Sequence, residues 1–175
     1  MTRKISFGGA VSLDGYFAGP GEAIDWIRWS GEAAALSAAG WKSVDTMLMG
    51  RKTWQFAERR GGGPGVGPGI RTFVFSRTLA EAPAGVALVR EEAAAFVRRL
   101  KGEEGGDIMV MGGGELGSAL IEAGLVDEIG LNVHPILLGG GIPAFRPMAG
   151  RTELELVEAR PLAQGCVLLR YRAPS

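Results

Sequence analysis

The sequence is poor in several residue types, and each shortage excludes a class of protein. It contains a single cysteine, Cys166, which cannot form a disulfide within the chain. No apolar run reaches the roughly 20 residues that a membrane-spanning helix requires. The first residues, MTRKISFGGAVSLDG, lack the charged and apolar regions of a secretory signal peptide. From these shortages we expect a cytoplasmic protein that does not enter a membrane.

Net charge is also lacking, since 19 basic residues balance 19 acidic ones. Proteins that bind nucleic acid or an anionic membrane surface need an excess of positive charge, so we expect neither partner. The only histidine, His134, has no ligand partner at the spacing of a metal site, so we expect it to be structural and expect no metal. A small ligand fits this composition better, whether it is neutral or carries an anionic group that the protein binds locally.

The chain has enough apolar residues, 46% of 175, for the core of one domain spanning residues 1–175. Short apolar segments alternate with helical patterns, which is the order of crossover connections in a mainly parallel sheet. The predicted strands are residues 4–11, 44–49, 70–78, 107–111 and 125–133. The predicted helices are residues 30–41, 50–60, 91–101 and the segment from 114 to a C-terminal cap at Gly124, with Ser30 as the N-cap of the first. The Gly- and Pro-rich segment 60–69 is predicted to be a surface loop.

The end of the chain has a different pattern. Residues 152–159 (TELELVEA) and 166–172 (CVLLRYR) alternate with a period of two on either side of RPLAQG. This alternation predicts an antiparallel hairpin that closes the sheet. A strand such as CVLLRYR would leave an apolar, unpaired edge or face, so we expect a homodimer.

Three consecutive glycines, Gly112, Gly113 and Gly114, stand where an apolar strand runs into a helix. Glycines at such a junction let the backbone approach a ligand closely, and the helix N-terminus that follows favours a phosphate. The alternative is a tight turn in which helix and strand pack closely. The sequence leaves both interpretations open for this run.

Two other stretches point to the same chemistry. Residues 50–54 (GRKTW) place a glycine, two cations and a hydroxyl at the start of a helix, and residues 75–78 (FSRT) end a strand with a hydroxyl and a guanidinium. Ligands of open α/β sheets bind at the carboxyl ends of the strands, where all three stretches fall. The pattern favours an extended phosphate-bearing ligand such as a dinucleotide, and the alternative for each cation is an ordinary solvated surface.

The motifs MGRKTWQ, VFSRT and VMGGGELG, in that order, resemble the three NADPH-contacting segments of the dihydrofolate reductase superfamily. SLDGYFAG and VHPILLGGGIPAF are similar to its branch that contains the C-terminal reductase domain of the bifunctional riboflavin-biosynthesis deaminase-reductase. The resemblance implies a dihydrofolate reductase-like α/β fold, with helices flanking one mostly parallel sheet that ends in an antiparallel hairpin. It also implies an NADPH-dependent reductase that transfers a hydride to a pyrimidine- or pterin-type heterocycle, resembling 5-amino-6-(5-phosphoribosylamino)uracil reductase. Two alternatives are a dihydrofolate reductase and a non-catalytic NADPH-binding protein.

The resemblance also implies roles for individual residues in cofactor binding. Arg51, Ser76 and Arg77 would hold the 2′-phosphate of NADPH. Gly50, Lys52 and Thr53 would meet its pyrophosphate. The cofactor would lie against Gly112, Gly113 and Gly114, and the residues that follow them, Glu115 and Leu116, complete the predicted set. Glu115 also suits the simpler role of an acid in the first turn of a helix.

The substrate side is less distinct. Hydride transfer needs a matching proton donor, and the candidates are Asp14, in the SLDG turn, and Asp25, in IDWIRW. Asp14 is equally suitable as a turn residue before Gly15. Dihydrofolate reductases carry a substrate-binding carboxylate on a helix at a place that falls near Ala34 here, so we expect a poor dihydrofolate reductase. The acid that riboflavin-type reductases carry before the glycines is replaced by Met111.

Overall fold

The computed structural model describes residues 3–61, 69–82 and 85–173 of the chain. Its strands are β1 (Ile5–Ser12), β2 (Tyr16–Ala18), β3 (Val44–Gly50), β4 (Arg71–Phe75), β5 (Ala87–Val89), β6 (Asp107–Met111), β7 (Glu128–His134), β8 (Ile142–Pro143), β9 (Glu155–Pro161) and β10 (Val167–Arg172). Its α-helices are α1 (Gly31–Trp41), α2 (Arg51–Arg59), α3 (Ala93–Lys101) and α4 (Gly114–Glu122). Most of the loop predicted over 60–69 lies outside the described residues. No helix within the described ranges is long and apolar enough to cross a membrane.

The main sheet has eight strands in the order β5-β4-β3-β6-β1-β7-β10-β9. From β5 to β7 all neighbours run parallel, whereas β10 is antiparallel to both β7 and β9. The predicted parallel sheet and C-terminal antiparallel hairpin are therefore confirmed. The short strands β2 and β8 form a separate two-stranded sheet.

The expectation that CVLLRYR forms an unpaired edge is wrong. Strand β10 lies between β7 and β9, and each residue from Val167 to Arg172 is in register with a residue on both neighbours. The second strand of the hairpin inserts beside β7, so its first strand, β9, becomes the edge of the sheet. The exposed apolar side chains of this region, Leu156 and Val157, accordingly lie on β9.

The helices begin where their side chains can bind the free backbone N–H groups of the first turn. Ser30 Oγ accepts a hydrogen bond from Ala33 N at 3.0 Å, so the predicted N-cap of α1 is confirmed. The helix predicted over 91–101 begins only at Ala93, because the Glu92 carboxylate accepts from the N–H groups of Ala94 and Ala95 and serves as its cap. Gly124, with φ of 66°, follows α4 as predicted.

Apolar side chains cover the two faces of the sheet unequally. A large cluster on one face joins the strands to α3 and α4 and includes Phe7, Leu48 and Leu120. A smaller cluster on the other face lies around Trp54 of α2 and Met47. Helix α1 has only Ala33 buried among its eleven residues, so this second face is only partly covered.

His134, at the end of β7, is buried under the segment that precedes α1. The Trp26 ring lies 5.3 Å from the imidazole and nearly perpendicular to it. Arg28 N donates to His134 Nδ1 at 3.4 Å, and Cys166 Sγ lies 3.4 Å from the same nitrogen. Burial, with a smaller contribution from the Arg28 charge, lowers the pKa of His134, which supports the structural role expected for it.

A first prediction concerns Gly117, which lets α4 lie directly on β1. A Cβ at this position would be 2.2 Å from Phe7 Cε2, and Phe7 is fully enclosed. We expect Gly117→Ala to lower the free energy of unfolding by about 1–3 kcal/mol in urea titrations, because overpacking outweighs the gain in helix propensity. Gly40→Ala in α1 is the matched control, because its Cβ meets open space and should stabilise the protein by up to about 1 kcal/mol. Equal stability of the two variants would contradict the close packing.

A second prediction follows from the lowered pKa of His134. The unfolded chain takes up a proton near pH 6.5, whereas the folded protein takes it up only at lower pH, so the free energy of unfolding falls as the pH drops below about 6.5. No second histidine is present to titrate in this range. We expect His134→Asn to flatten the fall between pH 7 and pH 5 in urea titrations. Parallel curves for the parent and the variant would exclude this origin of the pH dependence.

Candidate cofactor and substrate site

The carboxyl ends of neighbouring parallel strands bring the three predicted cofactor segments to one edge of the sheet. In the register of β3, Gly50 lies opposite Phe75 of β4, and Met49 lies opposite Met111 of β6. The segments that follow these strands, residues 50–53, 76–78 and 112–116, are therefore neighbours. Their order along the edge is 76–78, 50–53 and 112–116.

The N-terminus of α2 differs in charge from those of the other helices. It has no acid in its first turn, and Gly50 provides no side-chain cap, while Arg51 and Lys52 open the helix. In contrast, α1 and α4 have acids in their first turns, and α3 is capped by Glu92. Cations at the positive end of a helix dipole are unfavourable unless an anion binds there. This terminus is therefore built to attract an anion.

Thr53 links this terminus to that of α4. A Cβ at Gly112 would lie 2.7 Å from Thr53 Cγ2, and one at Gly113 would lie 3.2 Å from Thr53 Oγ1. Both glycines have left-handed backbone, with φ of 59° and 54°. A Cβ at Gly114 would lie 2.6 Å from the carbonyl oxygen of Pro143. Contacts within the protein therefore already require these glycines, which supports the tight-turn interpretation, and contact with a cofactor stays a prediction.

The end of β4 forms a hydrogen-bonded turn beside Arg51. Arg51 Nη1 donates to Thr78 Oγ1 at 2.8 Å, and Ser76 Oγ accepts from the backbone N–H groups of Thr78 at 3.2 Å and Leu79 at 3.1 Å. Thr78 is the residue of this turn to which the sequence analysis gave no role, although it belongs to the FSRT motif. The guanidinium of Arg51 is thereby held over the turn that contains Ser76 and Arg77.

An open cleft lies directly next to this turn. Its volume is about 220 Å³, and its lining residues are Phe75, Ser76, Arg77, Val89, Arg90, Glu91 and Ala93. The Arg90 guanidinium donates to the carbonyl oxygen of Ala80 at 2.7 Å, and Glu91 is paired with Arg99. Arg77 is exposed and makes no side-chain hydrogen bond with a described residue. Its guanidinium is therefore available to a ligand in the cleft.

The remaining predicted cofactor residues differ in what they can offer. Lys52 and Glu115 are exposed, and neither side chain bonds to another residue in the described ranges. The Leu116 side chain is buried in the large apolar cluster, so this residue can offer a ligand only its backbone. Glu115 occupies the first turn of α4, as its simpler interpretation predicts.

Asp14 is fully engaged in holding two loops together. Its carboxylate accepts hydrogen bonds from Ser12 Oγ at 2.6 Å, from Leu138 N at 3.0 Å and from Gly139 N at 2.8 Å. The hydrogen bond from Ser12, with those from the Gly139 and Leu138 N–H groups, lowers the pKa of Asp14. A carboxylate kept charged in this way is a poor proton donor, which favours its interpretation as a turn residue. Gly139, which donates one of these bonds, has φ of 70°, a left-handed conformation that favours glycine.

The other acids near α1 have different surroundings. Asp25 is exposed in the turn before Trp26, and its carboxylate makes no hydrogen bond within the described part of the chain. Glu32 accepts from Ala163 N at 3.3 Å and so faces the turn between β9 and β10. Ala34, at the place where dihydrofolate reductases carry a carboxylate, is exposed. Of the two predicted catalytic acids, only Asp25 is therefore free of structural contacts.

Three solved structures share this architecture. A Shewanella sp. PV-4 protein named for riboflavin biosynthesis superposes with a TM-score of 0.86 at 24% identity, with 100% of both chains covered. The Thermotoga maritima diaminohydroxyphosphoribosylaminopyrimidine deaminase/5-amino-6-(5-phosphoribosylamino)uracil reductase gives 0.75 at 15% identity, with 99% of this chain and 57% of that chain covered. Dihydrofolate reductase from Enterococcus faecalis, complexed with NADP(H) and RAB-propyl, gives 0.72 at 17% identity, with 100% of both chains covered.

Comparison of sequences gives the family. YwjB, an uncharacterized protein of Bacillus subtilis strain 168, is 32% identical over 185 residues, which cover 99% of this chain and 100% of YwjB. The family model described as the RibD C-terminal domain matches residues 3–168. The chain therefore belongs to the RibD C-terminal domain family and has a dihydrofolate reductase-like fold.

Proposed function

We propose that this protein is an NADPH-dependent reductase that transfers a hydride to a pyrimidine- or pterin-type heterocycle. The observation that carries the proposal is the pair of helix N-termini, of α2 and α4, which Thr53 joins at the carboxyl edge of adjacent parallel strands. Two such termini side by side suit a pyrophosphate, because their free N–H groups point toward the same edge. The uracil reductase activity named for the T. maritima protein and the NADP(H) bound by the E. faecalis enzyme support it.

The arrangement at the end of β4 suits the 2′-phosphate that distinguishes NADPH from NADH. Arg51 is fixed by its bond to Thr78, and the exposed Arg77 lies beside the cleft, so two guanidinium groups would flank one phosphate. Arginine binds phosphate well because its planar group can donate two parallel hydrogen bonds. Ser76 accepts two backbone bonds, and its hydroxyl, which lies 3.4 Å from Thr78 Oγ1, can turn its proton toward the same phosphate.

The bound nicotinamide would supply the hydride, and the chain must supply the substrate's orientation and a route for the proton. Asp14 would position the loop at 138–141 against β1 and so shape the edge of the site. Asp25 is the acid left to relay a proton, since its carboxylate has no partner among the described residues. The acid would act directly or through one water molecule.

Of the two alternatives, dihydrofolate reduction fits these contacts less well. Dihydrofolate reduction would need a carboxylate near Ala34, and the nearest acid, Glu32, is bonded to Ala163 N. A non-catalytic protein would bind NADPH with the same residues but would not oxidise it. Absorbance of NADPH at 340 nm, followed with aminouracils and with dihydrofolate, separates these cases. We expect oxidation with an aminouracil and little with dihydrofolate.

The third prediction is a preference for NADPH over NADH. Arg77→Ala should weaken NADPH binding by about 1–3 kcal/mol, because it removes a charged partner of the 2′-phosphate, and should leave NADH nearly unchanged. Fluorescence titration of each cofactor measures both affinities. The control is Arg151→Ala, which removes an exposed arginine outside the predicted cofactor segments and should change neither affinity. Identical titration curves of the parent protein with NADPH and NADH would refute the assignment of the 2′-phosphate site.

We also propose that the protein is a homodimer. Its two copies would pair through β9, because β10 lies inside the sheet. The edge strand β9 presents unpaired backbone groups together with Leu156 and Val157, whose side chains are 55% and 44% exposed. Such an edge invites pairing with a second copy. The apolar side chains would be covered by the same contact.

The fourth prediction tests this edge. Light scattering at micromolar concentration should give about twice the chain mass of 18.4 kDa. The double substitution Leu156→Lys and Val157→Lys should give a monomer with unchanged secondary structure, because charge opposes edge pairing. Leu137→Lys, at a side chain 70% exposed in the segment after β7, should leave the mass unchanged. A parent protein of single chain mass would rule out the dimer.

A further inference from the structure

A space opens above the centre of β7, on the partly covered face of the sheet. Side chains alternate along a strand, so Glu128, Gly130, Asn132 and His134 share this face, while Ile129 points into the large apolar cluster on the other. A Cβ at Gly130 would have no heavy atom within 4 Å. Among the described residues, the glycine thus leaves an open space above this part of β7, which we call the groove.

Charged or aromatic side chains flank this groove at both ends. At one end Glu128 is paired with Lys4 at 2.6 Å and with Arg170 at 2.9 Å, and Arg170 lies opposite Gly130 on β10. At the other end His134 lies under Trp26. The charges near the groove are therefore compensated, which suits an uncharged ring more than an ion.

Asn132 lies between these ends, and its side chain makes no hydrogen bond with any described residue. It stands opposite Ala10 on β1 and Leu168 on β10, two residues before the carboxyl end of β7. Its Oδ1 atom is buried without a hydrogen bond to any described residue. Buried polar atoms are nearly always paired, so an orphaned amide beside a groove indicates a ligand that completes it.

We propose that Asn132 is a specificity-determining residue that pairs with the lactam edge, an adjacent ring N–H and C=O, of the heterocyclic substrate. A carboxamide offers one acceptor and two donors in one plane, so it can make two hydrogen bonds to that edge whichever way it is turned. Gly130 leaves the room for the ring. The inference rests on the proposed function, because the ring must lie near the cofactor proposed to bind at residues 112–114. Only β1 separates β7 from β6, so the groove lies about 10 Å from these glycines.

The fifth prediction uses two probes that differ at this edge. Protein saturated with NADP⁺ is titrated by calorimetry with 5,6-diaminouracil and with 5,6-diamino-1,3-dimethyluracil, whose ring nitrogens carry no hydrogen. The parent protein should bind the first at least about tenfold more tightly, since an unmatched buried polar group is costly. In Asn132→Leu, which keeps the branching and the number of heavy atoms of the side chain, the two affinities should become equal through loss of affinity for 5,6-diaminouracil.

Gly130→Ala provides a second variant that does not depend on the amide. Its Cβ enters open space, so the fold and NADPH binding should be unchanged, whereas both probes should bind at least about threefold more weakly because the groove is narrowed. Gly40→Ala, which also meets open space but lies on α1, is the control and should bind both probes as the parent does. If Asn132→Leu does not fold, the result with Gly130→Ala decides.

The outcomes separate this inference from the proposed function. Failure of the parent protein to bind NADPH would overturn the proposed function itself. If the parent binds NADPH normally, three outcomes would overturn the role of Asn132 alone. The parent could bind both probes with equal affinity, or it could fail to bind 5,6-diaminouracil at millimolar concentration. The third outcome is discrimination between the probes that survives in Asn132→Leu. Unchanged affinities in Gly130→Ala would show that the groove is not the site of the ring.

Discussion

The close approach of α4 to the sheet is the constraint on which the candidate site depends. Gly117 lets the helix lie on Phe7 of β1, and Gly114 lets its first turn touch the backbone at Pro143. A side chain at either glycine would push the helix away from the strands. The helix N-terminus would then no longer meet Thr53 of α2, and the two termini at the carboxyl edge would separate. These two packing contacts thus connect the core to the chemistry expected at the edge.

Local patterns in the sequence predicted the elements well, because periodicity and capping depend on neighbouring residues. The five parallel strands that it predicted, four helices and the hairpin are present, and Ser30 caps α1 as expected. The order of strands in the sheet is set by contacts between distant residues, and for that reason the edge was assigned to β10 in place of β9. The partners of Asp14, at residues 138 and 139, were missed for the same reason.

The candidate site was predicted in part by the same reasoning. Glycines and cations at strand ends identified the edge, but the sequence could not show that Thr53 itself fills the space beside Gly112. Asn132 was missed because the strand that contains it was predicted from its apolar residues. The alternation of side chains along the strand could have identified Asn132. Asn132 shares a face with Glu128 and His134 and so points away from the apolar cluster. Only the structure shows that its amide oxygen is left unpaired.

The zero net charge of the chain conceals a strongly uneven distribution. Positive charge gathers at the start of α2 and at the end of β4, while acids cap or open the other helices. A local field of this kind can guide an anionic ligand even when the protein as a whole carries no net charge. Overall composition and local electrostatics therefore answer different questions about partners.

The position of β9 at the sheet edge has a consequence for how two copies would work together. Strand β3, which ends at the turn proposed to bind the cofactor, lies five strand spacings from β9, or about 24 Å. In a dimer paired through β9, the two turns would be roughly twice that distance apart, and no residue of one site would be supplied by the other copy. We therefore expect independent sites, whose saturation by cofactor follows a simple hyperbola with a Hill coefficient of about one.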